Sequence, residues 1–338
     1  MKKHFACLIL TVLNLLLLSS CGDEHRAASV CRIDGFYFDT YVELQLYGIT
    51  DEDAAKEKCR QWMEELEACF SPSEGSELFN LNHSYTEEQK EAPLSVDMRN
   101  VLSRSLYFCK LSGGAADPTI GSVSALWDFH SEAPAPPSPE AVKEQLQHVG
   151  IANMELNENG LLLKDPETRL DLGYIAKGYI ADCLKEKLET ELKVKSGIIN
   201  LGGNVTLIGS KEDGSPWRVG IKKPFGGGEA LLTIDLSDTS VVTSGVYERC
   251  FTSEDHFYHH ILDPQNGFPA DNGLLSVSII CEDATEADAL STACFVLGTE
   301  EGLKLIERSD GVEALFLDKD MNIRTSSGFP AFRLLSVQ

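Results

Sequence analysis

The chain has no CxxC pair among its ten cysteines, which excludes zinc-ribbon and thioredoxin-like chemistry. It has no G-x-S-x-G elbow, so an α/β-hydrolase nucleophile is absent. It is poor in basic residues, with 29 Lys and Arg against 53 Asp and Glu and a formal charge of −24. So acidic a chain is not built to hold nucleic acid through its backbone phosphates. A phosphate ligand must instead be met locally, by a metal, a lysine or backbone N–H groups. Beyond the N-terminus no run approaches the ~18 apolar residues of a membrane span. No internal repeat, clear linker or regular βα alternation occurs. The organisation therefore reads as one α+β domain with a mixed sheet and packed helices, or as two closely packed lobes.

The N-terminus carries Lys2, Lys3 and His4, then an apolar run from Phe5 to Leu18. That run is too short for a stable span and reads as a signal segment. Leu18-Ser19-Ser20-Cys21 resembles a bacterial lipobox. The resemblance implies cleavage after residue 20 and lipidation of Cys21. Residues 1–20 are then a signal peptide, 21–34 a lipid-anchored tether and 35–338 the catalytic domain. The expected location is a bacterial membrane-anchored lipoprotein facing the periplasm or the cell surface. Loss of Lys2 and Lys3 from the 29 basic residues leaves 27 against 53 acidic ones, a charge near −26. Eight cysteines remain past Cys21, and several fall on apolar helix faces, so buried free thiols are expected.

Alternation from Phe36 to Leu46 predicts one long half-buried strand. Thr50 to Asp53 predicts a capping box, with a helix to about Phe70. A second helix is expected over Val96–Lys110, ended by Ser112-Gly113-Gly114. Others are expected over Ile175–Leu192, Thr285–Leu297 and Glu300–Arg308. Strands dominate 197–244, and further strands fall at Leu275–Cys281 and in a hairpin near Glu313–Arg324.

The chemistry concentrates in a few places. Asp288 and Thr292 stand four residues apart on a small-residue helix, where a carboxylate and a hydroxyl point the same way and can share a hard cation. The bland alternative is a solvated aspartate in the first helical turn. Leu170 to Gly178 is a strand-to-helix junction in which Asp171 can cap and Lys177 can meet phosphate. Mg²⁺ suits such a site, since a backbone carbonyl in this bend supplies another hard oxygen. Ser112 to Gly121 is a glycine-bearing loop whose N–H groups can line a nucleotide. Thr243-Ser244-Gly245 ends a strand with two hydroxyls. In HHILDP, His259 and His260 face opposite sides of a strand, which leaves room for one of them to be structural or merely exposed. His260 is the candidate proton carrier.

Together these segments resemble the ApbE-like FAD:protein FMN transferases. The matching pieces are SELFNLN (76–82), GGAADPTIG (113–121), LDLGYIAKGYIAD (170–182), VVTSGVYER (241–249) with HHILDPQNGFP (259–269), and EADALSTACFVLG (286–298). The resemblance implies an enzyme that moves FMN from FAD to a threonine or serine hydroxyl of an acceptor protein and releases AMP. The acceptor would be a flavin-carrying subunit of a membrane or exported electron-transfer system. It implies that Asp288, Thr292 and the Tyr174 carbonyl hold Mg²⁺. It implies that Lys177 meets FAD phosphate, and that Ala115, Ala116 and Asp117 line the adenine or ribose side. Thr243, Ser244 and Gly245 would flank the flavin and pyrophosphate, and His260 would deprotonate the acceptor hydroxyl. Two departures stand out. Phe38-Asp39 occupies the place of Met-Gly, and Phe70, in a region that contacts FAD, replaces a tyrosine. The second bears on whether water or a protein hydroxyl attacks. Hydrolysis of FAD to FMN and AMP is therefore an alternative, and a non-catalytic flavin-binding lipoprotein is a third.

Overall fold

The computed structural model describes residues 30–335 apart from 87, 89, 130 and 132. The signal segment and Cys21 lie outside the described residues. Eight strands form the main sheet: β1 (Val30–Tyr37), β2 (Thr40–Tyr47), β3 (Gly197–Leu201), β4 (Asn204–Ile208), β5 (Ser240–Gly245), β6 (Leu274–Cys281), β7 (Glu313–Asp318) and β8 (Ile323–Thr325). Their order across the sheet follows their order in the chain. Every ladder among them is antiparallel, so the mixed sheet expected from sequence narrows to an antiparallel one.

Three smaller sheets and seven α-helices accompany the main sheet among the described residues, the helices being α1 (Glu52–Phe70), α2 (Glu77–Ser84), α3 (Val96–Leu111), α4 (Gly121–Ser124), α5 (Pro139–Gln145), α6 (Ala176–Thr190) and α7 (Ala284–Ile306). The principal core lies between one sheet face and the helices, where Leu44, Met63, Leu102, Ile180, Ile279 and Leu290 meet. The opposite face of the sheet packs on a three-stranded sheet through Leu207, Trp217, Ile221, Ile234 and Leu315. Covered on both sides, β6 is buried along most of its length, which explains its nearly unbroken apolar run. A satellite cluster of Val123, Trp127, Val142 and Leu262 supports the loops around α4.

The expected single strand over 36–46 is two strands. Alternation runs through the turn because Phe38 and Asp39 make it without glycine, at φ 54° and 57°. Two successive left-handed residues suit the twist of a two-residue hairpin. β1 also begins at Val30, so residues 30–34 belong to the sheet rather than to the tether, with Cys31 and Ile33 facing inward. Helix α1 is capped by Asp51, whose carboxylate accepts the Ala54 N–H at 3.1 Å. Gly298, at φ 75° and ψ 175°, interrupts α7 where two helices were expected. The eight cysteines from Cys31 to Cys294 are all free, and six of them are buried. No helix among the described residues is long and apolar enough to cross a membrane.

Candidate active site

Helices α6 and α7 meet at the centre of the site. Asp171 does not cap α6: it binds the Gly173 N–H at 2.9 Å and the Ser124 hydroxyl at 2.7 Å. The residue before the helix, Ile175, has no capping side chain. The cap comes from across the fold. Asp288 Oδ2 accepts the Gly178 N–H at 2.9 Å, so a carboxylate on α7 satisfies an orphan donor in the first turn of α6. The positive end of the α6 dipole favours that negative charge. Asp288 Oδ1 accepts from Asn204 Nδ2 at 3.0 Å, and the side chain is almost fully buried. The solvated-aspartate alternative is thus set aside.

Gly178 makes this approach possible. A Cβ there would sit 2.2 Å from the Ala284 carbonyl oxygen and 2.8 Å from Asp288 Cβ. Both obstacles belong to the rigid start of α7, so α6 and α7 would have to separate. Gly178→Ala is expected to destabilise the fold by about 2 kcal/mol or more. Denaturant unfolding measures it; a loss within about 0.5 kcal/mol contradicts the close packing.

Thr292 Oγ1 lies 3.0 Å from Ser244 Oγ, which is also 2.7 Å from Ser291 Oγ. Thr243 Oγ1 pairs with Ser278 Oγ at 2.8 Å. The end of β5 thereby presents its hydroxyls to α7 and β6. Lys177, next to Gly178, reaches back to the Gly173 carbonyl at 3.3 Å. The Tyr174 carbonyl accepts no hydrogen bond among the described residues, because the N–H that would fold back onto it from Gly178 goes to Asp288.

The two adjacent histidines have different surroundings. His259 ends a short strand and is buried, with Nε2 3.2 Å from the Ala270 carbonyl and Nδ1 accepting the Ile261 N–H at 3.3 Å. That pattern needs a neutral ring, and burial holds its pKa down to about 4. His260 lies just past the strand. Its backbone N–H and its Nδ1 both face the Arg249 carbonyl, at 3.1 and 3.3 Å. A proton on Nδ1 donates to that carbonyl and leaves the Nε2 lone pair open. Burial, then the charges of Arg249 and Lys177, push its pKa down to about 3.

Both histidines are protonated more easily in the unfolded chain than in the folded one. Their contribution is therefore complete above about pH 6.5 and is lost as pH falls, towards about 4 for His259 and about 3 for His260. For His259 the full effect is about 3 kcal/mol. The urea midpoint is expected to drop between about pH 7 and about pH 5, and His259→Gln should flatten that slope. An identical slope in the variant contradicts the buried neutral ring.

One cavity of about 880 Å³ gathers these groups. Phe70, Ala115, Ala116, Asp117, Tyr174, Lys177, Thr243, Ser244, Gly245, His260, Asp288 and Thr292 all line it. The volume lies within the range of ligand pockets. Asp117 is buried with Thr119, whose N–H and hydroxyl it accepts at 2.8 and 2.5 Å. Phe70 packs edge-on against Tyr179 at 5.6 Å and offers the cavity only an apolar ring. Sequence reading missed two participants. Asn204 follows the Gly202-Gly203 turn and has no motif that marks it. Asp39 joins Arg249 in an ion pair of 2.7 Å at the cavity wall, which ties the β1–β2 turn to the residue whose carbonyl holds His260.

No cluster of three or more His, Cys, Asp or Glu side chains suited to a metal occurs among the described residues. Asp288, Thr292 and the Tyr174 backbone, all at the cavity wall, offer one carboxylate, one hydroxyl and one carbonyl. Such a set fits a cation that takes few protein oxygens and keeps substrate phosphates and water, which describes Mg²⁺.

Asp288, Thr292, His260 and Lys177 line one cavity, a set of groups suited to a phosphate-bearing ligand. The ApbE family model matches residues 38–316, and the chain belongs to the ApbE family. It is 35% identical over 334 residues to the FAD:protein FMN transferase of Treponema pallidum, covering 92% of this chain and 90% of that protein. The crystal structure of the ApbE protein from Thermotoga maritima superposes with a TM-score of 0.80 at 31% identity, covering 88% of this chain and 97% of the other. The flavin transferase ApbE from Vibrio cholerae gives 0.79 at 27% identity, over 89% and 98%.

Proposed function

We propose that this protein is an FAD:protein FMN transferase. It moves FMN from FAD to a threonine or serine hydroxyl of an acceptor protein and releases AMP. The observation that carries this reading is the convergence of Lys177, Asp288, Thr292 and His260 on one dinucleotide-sized cavity, in a chain of the ApbE family. The acceptor oxygen attacks the FMN-side phosphorus of FAD. The bond from that phosphorus to the bridging oxygen breaks, and AMP leaves with the electron pair.

Each residue has a task. His260, neutral with Nε2 open, takes the proton of the acceptor hydroxyl, a poor nucleophile without a base. Burial and the charges of Arg249 and Lys177 hold its basicity down; the charge of a bound diphosphate offsets the two cations and raises it. Lys177 holds a diphosphate oxygen. Ala115, Ala116 and Asp117 bound the adenine or ribose side, and Thr243, Ser244 and Gly245 the flavin and pyrophosphate side. Asp288, Thr292 and the Tyr174 carbonyl hold Mg²⁺. When bound, the ion neutralises charge that develops on the diphosphate.

We further propose that Cys21 carries lipid after cleavage at residue 20. The enzyme would then act outside the cytoplasm on a subunit of a membrane or exported electron-transfer system.

The test uses residues 22–338 with FAD, Mg²⁺ and a candidate acceptor domain. AMP that depends on acceptor, with a fluorescent acceptor band, supports transfer. AMP without acceptor supports FAD hydrolysis, which the apolar Phe70 ring leaves as the second reading. No AMP in either case overturns both.

A further inference from the structure

The Asp288 carboxylate is held from both sides. Its Oδ2 receives the Gly178 N–H at 2.9 Å and its Oδ1 receives Asn204 Nδ2 at 3.0 Å. These donors come from different elements, the first turn of α6 and the first residue of β4. Asp288 and Asn204 are 3% and 5% exposed, so no bulk water competes for these bonds. The carboxylate can accept but not donate, so Asn204 must direct its NH₂ group at it. Asn204 itself is fixed by register: it sits opposite Leu201, directly after the Gly202-Gly203 turn.

One lone pair on each oxygen is therefore spent on an N–H, and one on each remains. The two bonds fix the orientation of the carboxylate and resist the swing that would turn both oxygens to one ion. That favours ligation through a single oxygen. Mg²⁺ accepts that arrangement, being octahedral and ligated through few protein oxygens. Ca²⁺ takes six to eight oxygens and often a two-oxygen carboxylate, in a looser shell.

Resting on the metal role of Asp288 proposed above, we propose that Asn204 is a positioning residue that sets metal choice. By pinning Asp288 for one-oxygen ligation, it makes the site prefer Mg²⁺ to Ca²⁺. The Gly178 N–H supplies the other pin and cannot be removed by a side-chain change.

Mn²⁺ titration followed by electron paramagnetic resonance, with Mg²⁺ and Ca²⁺ as competitors and no FAD present, tests this without reference to turnover. Asn204→Ala is expected to lose about 10- to 100-fold in Mg²⁺ affinity. Its Ca²⁺ affinity should fall much less, so the Mg²⁺ to Ca²⁺ preference shrinks. Asn204→Ser keeps a shorter donor and should fall between wild type and Asn204→Ala; it also serves if the alanine variant does not fold. A merely structural role would lower the melting temperature of the metal-free protein and leave the preference unchanged. An unchanged preference in a folded variant overturns the proposal while the metal site stands. A wild-type protein that binds no Mn²⁺ overturns the metal role of Asp288, and this proposal with it.

Discussion

Asp288→Ala is expected to abolish acceptor-dependent AMP release, a loss on the order of 10³-fold. The effect is large because this side chain has two tasks. It is the one carboxylate in the proposed cation set, and it caps α6 from across the fold. The substitution removes the ligand and leaves Gly178 N–H and Asn204 Nδ2 without their acceptor. A buried unpaired donor costs about 1–3 kcal/mol, so some loss of stability accompanies the loss of activity. The two separate by experiment. Thr292→Ala removes a proposed ligand that does not cap α6. Its AMP release should fall at ordinary Mg²⁺ and recover in part as Mg²⁺ is raised, with a nearly unchanged melting temperature. A folded Asp288→Ala with full Mg²⁺-dependent turnover contradicts the ligand assignment.

His260→Ala should lower the rate of transfer about 10²- to 10⁴-fold, the usual contribution of a positioned base. FAD binding, followed by flavin fluorescence, should change little, because the ring is assigned to the acceptor hydroxyl and not to the dinucleotide. His259→Gln provides the contrast. That ring is bonded on both nitrogens to backbone groups, so its loss should reduce stability more than the rate of the folded fraction. Equal catalytic losses at both positions, or a large loss of FAD affinity in His260→Ala, would contradict the division of roles.

Helices α1, α3, α6 and α7 were legible from their apolar periodicity, and Gly298 interrupts α7 where two helices were expected. The β1–β2 turn was not legible. Phe38 and Asp39 adopt left-handed conformations without a glycine to mark them, and the two-residue period runs on across the turn. The start of β1 was hidden for a related reason: Arg32 and Asp34 face outward and make a half-buried strand look like a polar tether. The gathering of distant segments in one cavity came from the resemblance of ordered motifs. Spacing alone does not bring Lys177 to Asp288, 111 residues away. What joins them is Gly178, whose missing Cβ lets α6 touch α7. Asn204 stayed invisible because an asparagine after a glycine pair reads as an ordinary turn residue, and only the folded sheet aims it at Asp288.

The most direct measurement is the intact mass of an acceptor domain after incubation with the enzyme, FAD and Mg²⁺. The account predicts a gain equal to FMN less one water, on a threonine or serine, matched mole for mole by AMP and absent without the enzyme. AMP formed at the same rate with no mass gain on any acceptor would contradict it, and would make water the nucleophile that His260 serves.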